Sequence, residues 1–338
     1  MAQKRLGLQT VALANPPVIV SHAAAAGPME ARGPLGHEYD ITYDDWMMGA
    51  DSFEKAERTL LEQAMRAALE KAGLPAKSPP VDYVLAGDLL NQIISSTFSA
   101  LAVGIPFLGL YGACSTLGES LSIGSMLIDG GFADRVLCGT CSHNKSAERQ
   151  YRYPTEYGGQ RKPYAQWTVT GAGAVVLAAQ GAGPRITHVT TGKVNDMGIT
   201  DPYDQGAAMA PAAADTISAH FSDTGRQPDY YDLIVTGDLA RFGHGMAVRL
   251  LADKGLNLGE RYKDCGMMVF DYDKQDVQSG GSGCGCSAIV TCGHLLREMA
   301  RGKVRRLLLV PTGALLSPTT FQQGDNIPAI AHAVAIEV

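Results

Sequence analysis

Runs of apolar residues without alternation mark the strands of this chain. "YVLA" (83–86), "RVLC" (135–138), "LIVT" (233–236) and "LLLV" (307–310) are short and, apart from Arg135 and Thr236 at their ends, apolar. Such runs suit strands buried on both faces, the usual condition of parallel sheets layered between helices. A different pattern fills 53–73, "FEKAERTLLEQAMRAALEKAG". Leu60, Leu61, Ala64, Ala67, Ala68 and Leu69 recur at helical spacing, and Gly73 ends the run, so the pattern predicts an amphipathic helix. The stretch 116–129 is also helical in composition, but its apolar residues circle the axis with glycines and serines between them. A helix of that kind is buried, and its small residues admit a close second backbone.

The patterns occur twice. "VDYVLAGDL" (81–89) returns as "YDLIVTGDL" (231–239). "ACSTLGESLSIGSMLIDGG" (113–131) returns as "GCSAIVTCGHLLREMARG" (285–302), "DRVLCGT" (134–140) as "VRRLLLVPTG" (304–313), and "AGAVVLA" (172–178) as "AHAVAIE" (331–337). Four phrases in one order, roughly 150–170 residues apart, are a duplication of a domain-sized unit and not a solenoid period. The expected halves are 1–184 and 185–338. Cys114 and Cys286 are expected to open two buried helices that pack on each other.

Composition narrows the function classes. Hydrophobic residues make up 46% of the 338 and charged residues 18%, with a net charge of -6. That is a globular chain without a basic stripe for nucleic acid. No apolar run reaches the length of a membrane span. The N-terminus imitates a signal peptide, but Asn15-Pro16-Pro17 interrupts it and "VIVSH" reads as a first strand. Seven cysteines suit reduced thiols better than a disulfide framework. Cys138/Cys141 and Cys284/Cys286 lack a second pair at zinc spacing, so no metal site is expected.

The chemistry concentrates in "YGACSTLGES" (111–120). Thr116 and Glu119 have capping-box spacing, which places Cys114 just outside the first turn of a buried helix. Unpaired N–H groups and the helix dipole favour an anion there, so Cys114 is read either as a nucleophile or anion site, or as a small buried hydrophobe.

With the duplication, Cys114, "TGAGAVVLA" (170–178) and a glycine loop near the end, the chain resembles the thiolase superfamily, closest to its ketoacyl-carrier-protein synthase branch. "HFSDTGRQPDYYDLIVTGDLARFG" and "GSGCGCSAI" extend the likeness to a stage V sporulation family of endospore-forming bacteria. The resemblance implies an α/β fold, five layers in the order αβαβα from two pseudo-symmetric halves, and a homodimer. It links the family to uptake of dipicolinic acid, alone or with calcium, into the developing spore. It also implies a place on the cytoplasmic side of the inner spore membrane beside membrane-protein partners, and no cofactor.

The synthases add a histidine after the second-half strand and an asparagine in the glycine turn, both stabilising developing charge. Here Gly237 and Asp238 stand at the first place and Ser282 at the second. The thiolases' second cysteine is missing from "VPTGALL" (310–316). His244, His294 and His332 are read as structural. The expectation is therefore a non-catalytic binding protein with Cys114 as a vestigial nucleophile position. The alternatives are an acyltransferase using Cys114 and a dimeric scaffold for membrane channel partners.

The stretch 143–167 carries five Lys and Arg against two Glu, with four tyrosines and Trp167. Arginine forks match carboxylates and aromatic rings stack on flat heterocycles, while the same residue types are enriched at protein interfaces. Arg161, Lys162 and His143 are the expected ligand groups, with the helix end at Cys114 as the pocket floor, and Asp238 and Ser282 are counted with Cys114 among the ligand-binding candidates.

Overall fold

The structure, a computed structural model, describes residues 3–74, 80–151 and 161–338. Ten strands form its framework: β1 (Val18–Ala26), β2 (Tyr83–Gly87), β3 (Phe107–Gly109), β4 (Arg135–Ser142), β5 (Gly171–Ala178), β6 (Arg185–Thr191), β7 (Leu233–Thr236), β8 (Tyr262–Asp264), β9 (Arg306–Val310) and β10 (Ala329–Glu337). The first five lie in the order β3-β2-β4-β5-β1 and the last five in the order β8-β7-β9-β10-β6. Numbered within each set, both orders are 3-2-4-5-1, with three parallel strands followed by two antiparallel pairings. The two sets touch edge to edge at Arg185 and Val18.

The helices complete five layers. On the outer face of the first sheet lie α1 (Phe53–Lys71) and α2 (Ile94–Val103). Between the sheets lie α3 (Thr116–Asp129) and a second helix that begins as α7 (Cys284–Val290). A short helix, α4 (Asn144–Tyr151), follows β4. The outer face of the second sheet carries α5 (Gln205–Thr224) and α6 (Ala240–Asp253).

Local sequence explains these elements. Ser52 caps α1 by accepting the Lys55 N–H at 3.3 Å, and Gly73, at φ +67, ends the turn beyond it. Leu60, Leu61, Ala64 and Ala68 are fully buried against the first sheet. In the middle layer Leu117 and Leu121 share one core with Ile289 and Val290. Gly124 sits close enough to β4 that a Cβ there would lie 3.0 Å from the Cys138 sulfur, so the small residues read from the sequence do admit close packing.

Two local expectations need correction. Thr116 and Glu119 make no capping box: Thr116 Oγ1 donates back to Ala113 O at 2.6 Å, and Glu119 accepts from the Gly112 N–H. A 3-10 turn, Ala113–Ser115, leads into α3 and carries the capping role. The second central helix opens at Cys284 and not at Cys286, because Gly283, at φ +97, takes the last non-helical position.

Candidate functional site

Cys114 lies in that 3-10 turn. The residue before it, Ala113, has φ +49, a left-handed conformation that an alanine adopts only under constraint. The constraint comes from the opposite side of the molecule. The strand after β9, Thr312–Ala314, presses Gly313 against the turn, and a Cβ on Gly313 would fall 2.3 Å from Gly112 O. Only glycine permits this approach.

Beneath Cys114 lies Asp238, fully buried at the end of β7. Its Oδ1 accepts from Thr312 Oγ1 at 2.5 Å, and its Oδ2 accepts from Ser282 Oγ at 3.0 Å and from the Gly283 N–H at 3.2 Å. Burial pushes this carboxyl up to about 6, against the opposing pull of the hydrogen bonds from Thr312, Cys114, Gly283 and Ser282. Cys284 completes the group, donating its S–H to Ala113 O at 2.9 Å.

These neighbours set the state of Cys114. Its thiol is held well above the ordinary range, first by the hydrogen bond with Cys284, then by burial, then by the negative field of Asp238. At neutral pH the group is a thiol. The helix dipole favours a thiolate, but it is outweighed by a second thiol and a carboxylate in a dry surrounding.

The repeated Gly-Asp phrase acquires a structural meaning here. Asp88, the counterpart of Asp238, accepts from the Leu90 N–H at 2.9 Å and the Ser96 N–H at 2.7 Å, so it ties the turn after β2 to the start of α2. Burial raises its carboxyl too. One carboxylate thus braces the wall above Cys114 and the other braces the floor.

A cavity of about 800 Å³ opens above Cys114. Its lining includes Asp88, Gln92, Tyr111, Gln150, Tyr151 and Leu316. Gln92 and Ile93 on its wall have φ +57 and +47, a second strained turn at the same opening. No lysine, arginine or histidine lines it among the described residues.

The sequence candidates divide between the floor and elsewhere. Cys114, Asp238 and Ser282 come together. His143 is buried and turned into the protein: Nδ1 accepts the Lys145 N–H at 3.1 Å and Nε2 donates to Trp46 O at 2.9 Å. Burial lowers its pKa to about 4, so it is neutral. Arg161 stacks on Trp167, 4.2 Å from the ring centroid, and stands 4.0 Å from Glu148. Lys162 bonds Asp201 at 2.6 Å. Arg152, Tyr153, Glu156 and Tyr157 of the basic aromatic stretch lie outside the described residues. His244 stacks on Tyr262 at 4.4 Å, His294 meets Glu38 at 3.3 Å, and His332 accepts from the Gly192 N–H at 3.4 Å.

Two residues of the floor are not singled out by sequence. Thr312 stands in a loop whose sequence is notable only for a missing cysteine. Residue spacing gives Cys284 only a metal-ligand reading. The signal available for Cys284 is its place beside Gly283, the last residue before a helix start.

Similarity to known proteins agrees with this architecture. The family model described as Stage V sporulation protein AD matches residues 7–337, and the chain belongs to that family. The Stage V sporulation protein AD of Bacillus subtilis (strain 168) is 49% identical over 334 residues, which cover 99% of this chain and 98% of that protein. Solved structures share the fold at low identity. A single-substitution variant of Xanthomonas campestris OleA has a TM-score of 0.62 at 15% identity, covering 99% of this chain and 100% of that one. Human mitochondrial 3-ketoacyl-CoA thiolase has a TM-score of 0.59 at 15% identity, covering 96% and 99%. The 3-oxoacyl-[acyl-carrier-protein] synthase III of Aquifex aeolicus VF5 has a TM-score of 0.56 at 14% identity, covering 95% and 100%.

Proposed function

We propose that this sporulation protein is a non-catalytic binding protein. Its ligand is dipicolinic acid, alone or as the calcium chelate, and its role is to support uptake of that ligand into the developing spore. The observation that carries the reading is the state of Cys114. A cysteine that takes up an acyl group at neutral pH needs a base or a positive field, and here its strongest neighbours are a thiol and a carboxylate. The cavity above it, about 800 Å³, has the volume for a small planar acid.

The ligand's own charge bears on where it is held. A dianion needs cations, and arginine supplies the bidentate form that carboxylates prefer. Arg161 follows directly on the segment 152–160, which itself continues from the cavity-lining Tyr151. In the fold Arg161 is held by Trp167 and Glu148, and Lys162 by Asp201. We assign carboxylate recognition to Arg161 and Lys162 together.

Uptake also requires partners. Among the described residues no helix is long and apolar enough to cross a membrane. In this reading the protein works peripherally, on the cytoplasmic side of the inner spore membrane, docked on membrane proteins. It works as a homodimer. In support, β3 is a sheet edge whose Leu108 is 44% exposed, beside Phe98 (42%) and Leu101 (73%) of α2. An exposed apolar edge of this kind invites a second strand.

The test is calorimetric titration of the purified protein with dipicolinate, with and without calcium, and with an acyl thioester. Dipicolinate is expected to bind and the thioester to leave no product. Arg161→Ala or Lys162→Ala should each weaken dipicolinate binding roughly tenfold or more, the value of one charge-assisted hydrogen bond. Turnover of the thioester without dipicolinate binding would replace this reading with the acyltransferase.

A further inference from the structure

Two thiols meet under the cavity, and only one of them reaches its surface. Cys114 lines the cavity and keeps 4% of its surface, while Cys284 and the other five cysteines are fully buried. The turn Ala113–Ser115, which carries Cys114, packs directly on the start of the helix Cys284–Val290. Cys284 is held in place by Ala113 O at 2.9 Å, the carbonyl next to Cys114 in the chain. All seven cysteines are free. The remaining ones are sealed in the core: Cys138 bonds Ser120 O, Cys141 bonds Glu57, Cys292 faces Ala174 O, and Cys265 neighbours Cys286.

We infer that Cys114 and Cys284 form a peroxide-reactive dithiol that closes to a disulfide between the N-termini of the two central helices. A hydroperoxide entering the cavity meets the Cys114 sulfur first. That sulfur attacks the distal peroxide oxygen, the O–O bond breaks, and the alcohol or water leaves with the thiol proton. Cys114 becomes a sulfenic acid. The Cys284 sulfur then attacks the Cys114 sulfur, the S–O bond breaks, and the hydroxyl leaves as water with the Cys284 proton. In sum two thiols lose two protons and two electrons, and the peroxide takes up both as it is reduced to water and the alcohol, or to two waters.

The surroundings set the rate and the outcome. Cys114 is protonated at neutral pH, so the first step is slow there and accelerates as pH rises and the thiolate forms. The second step needs only a short approach, because the Cys284 sulfur already lies 2.9 Å from Ala113 O, the carbonyl next to Cys114 in the chain. Sulfenic acid should therefore not accumulate in the unaltered protein.

The experiment treats the full-length protein with hydrogen peroxide over a range of pH and maps its peptides without reduction. The expected product is one intramolecular cross-link, Cys114 to Cys284, lighter by two hydrogens, formed faster at higher pH and reversed by a dithiol reductant. In Cys284→Ser, a sulfenic acid at Cys114 should persist and be trapped by dimedone. Three results overturn the inference: Cys114 oxidised while Cys284 remains open to alkylation after unfolding, a cross-link joining other cysteines, or no cysteine oxidised at all. The mapping on the unaltered protein decides the matter even where the variant fails to fold.

Discussion

Ser282 donates its hydroxyl to Oδ2 of Asp238 at 3.0 Å. In a condensing site of the thiolase type, the resemblance places asparagine and histidine at these two positions. Here they bond to each other, and with Thr312 and Gly283 they enclose a carboxylate below Cys114. What would stabilise developing negative charge is occupied by a group that repels it.

Acyl transfer should therefore fail at its first step. Incubation with acyl thioesters, followed by intact-mass measurement, is expected to show no adduct. A stoichiometric adduct that disappears in Cys114→Ala would remove the binding-protein reading.

Asp238 raises the thiol of Cys114, so removing its charge should lower it. Asp238→Asn is expected to shift the pH profile of Cys114 alkylation by iodoacetamide toward lower pH, giving faster labelling at any fixed neutral pH. An unchanged or slower profile, in a variant whose circular dichroism matches the parent, would mean that the carboxylate does not govern the thiol.

His143 is neutral in the fold and titrates at about 4, against an ordinary value of about 6.5 in an unfolded chain. The unfolded chain therefore takes up this proton first as pH falls. The contribution to stability is complete above about 6.5 and is lost as pH drops toward 4, amounting to roughly 3 kcal/mol at most. Denaturant melts of the parent and His143→Gln should converge over that window. Parallel curves would show that the ring is not held neutral.

The apolar edge gives an assembly prediction. Leu101→Glu combined with Leu108→Glu puts charge on the exposed faces of α2 and β3 without touching the core. Sedimentation is expected to show a dimer for the parent and a monomer for the double variant. If both sediment alike as dimers, the contact lies on another face.

Much of the architecture was legible because burial patterns are local. The apolar runs at 83–86, 135–138, 233–236 and 307–310 each became a central strand, since a strand covered on both faces favours apolar side chains along its whole length. The amphipathic stripe of α1 placed that helix on an outer face for the same reason. The two capping errors have a physical origin as well. Whether Thr116 or a preceding 3-10 turn begins α3 depends on Gly313 pressing on the Gly112–Cys114 backbone from a distant part of the chain, as the contact between them shows.

The sequence alone determined the repeated phrases, the layered α/β class and the presence of a cysteine before a buried helix. Each of these depends on residue type and spacing along one stretch. The tertiary structure alone decided the partners of that cysteine. It brought Asp238, Ser282, Cys284 and Thr312 around Cys114 from three separate stretches, and it turned His143 toward Trp46. A pKa is set by burial and by charges a few ångströms away, and distances of that kind exist only after the chain has closed on itself.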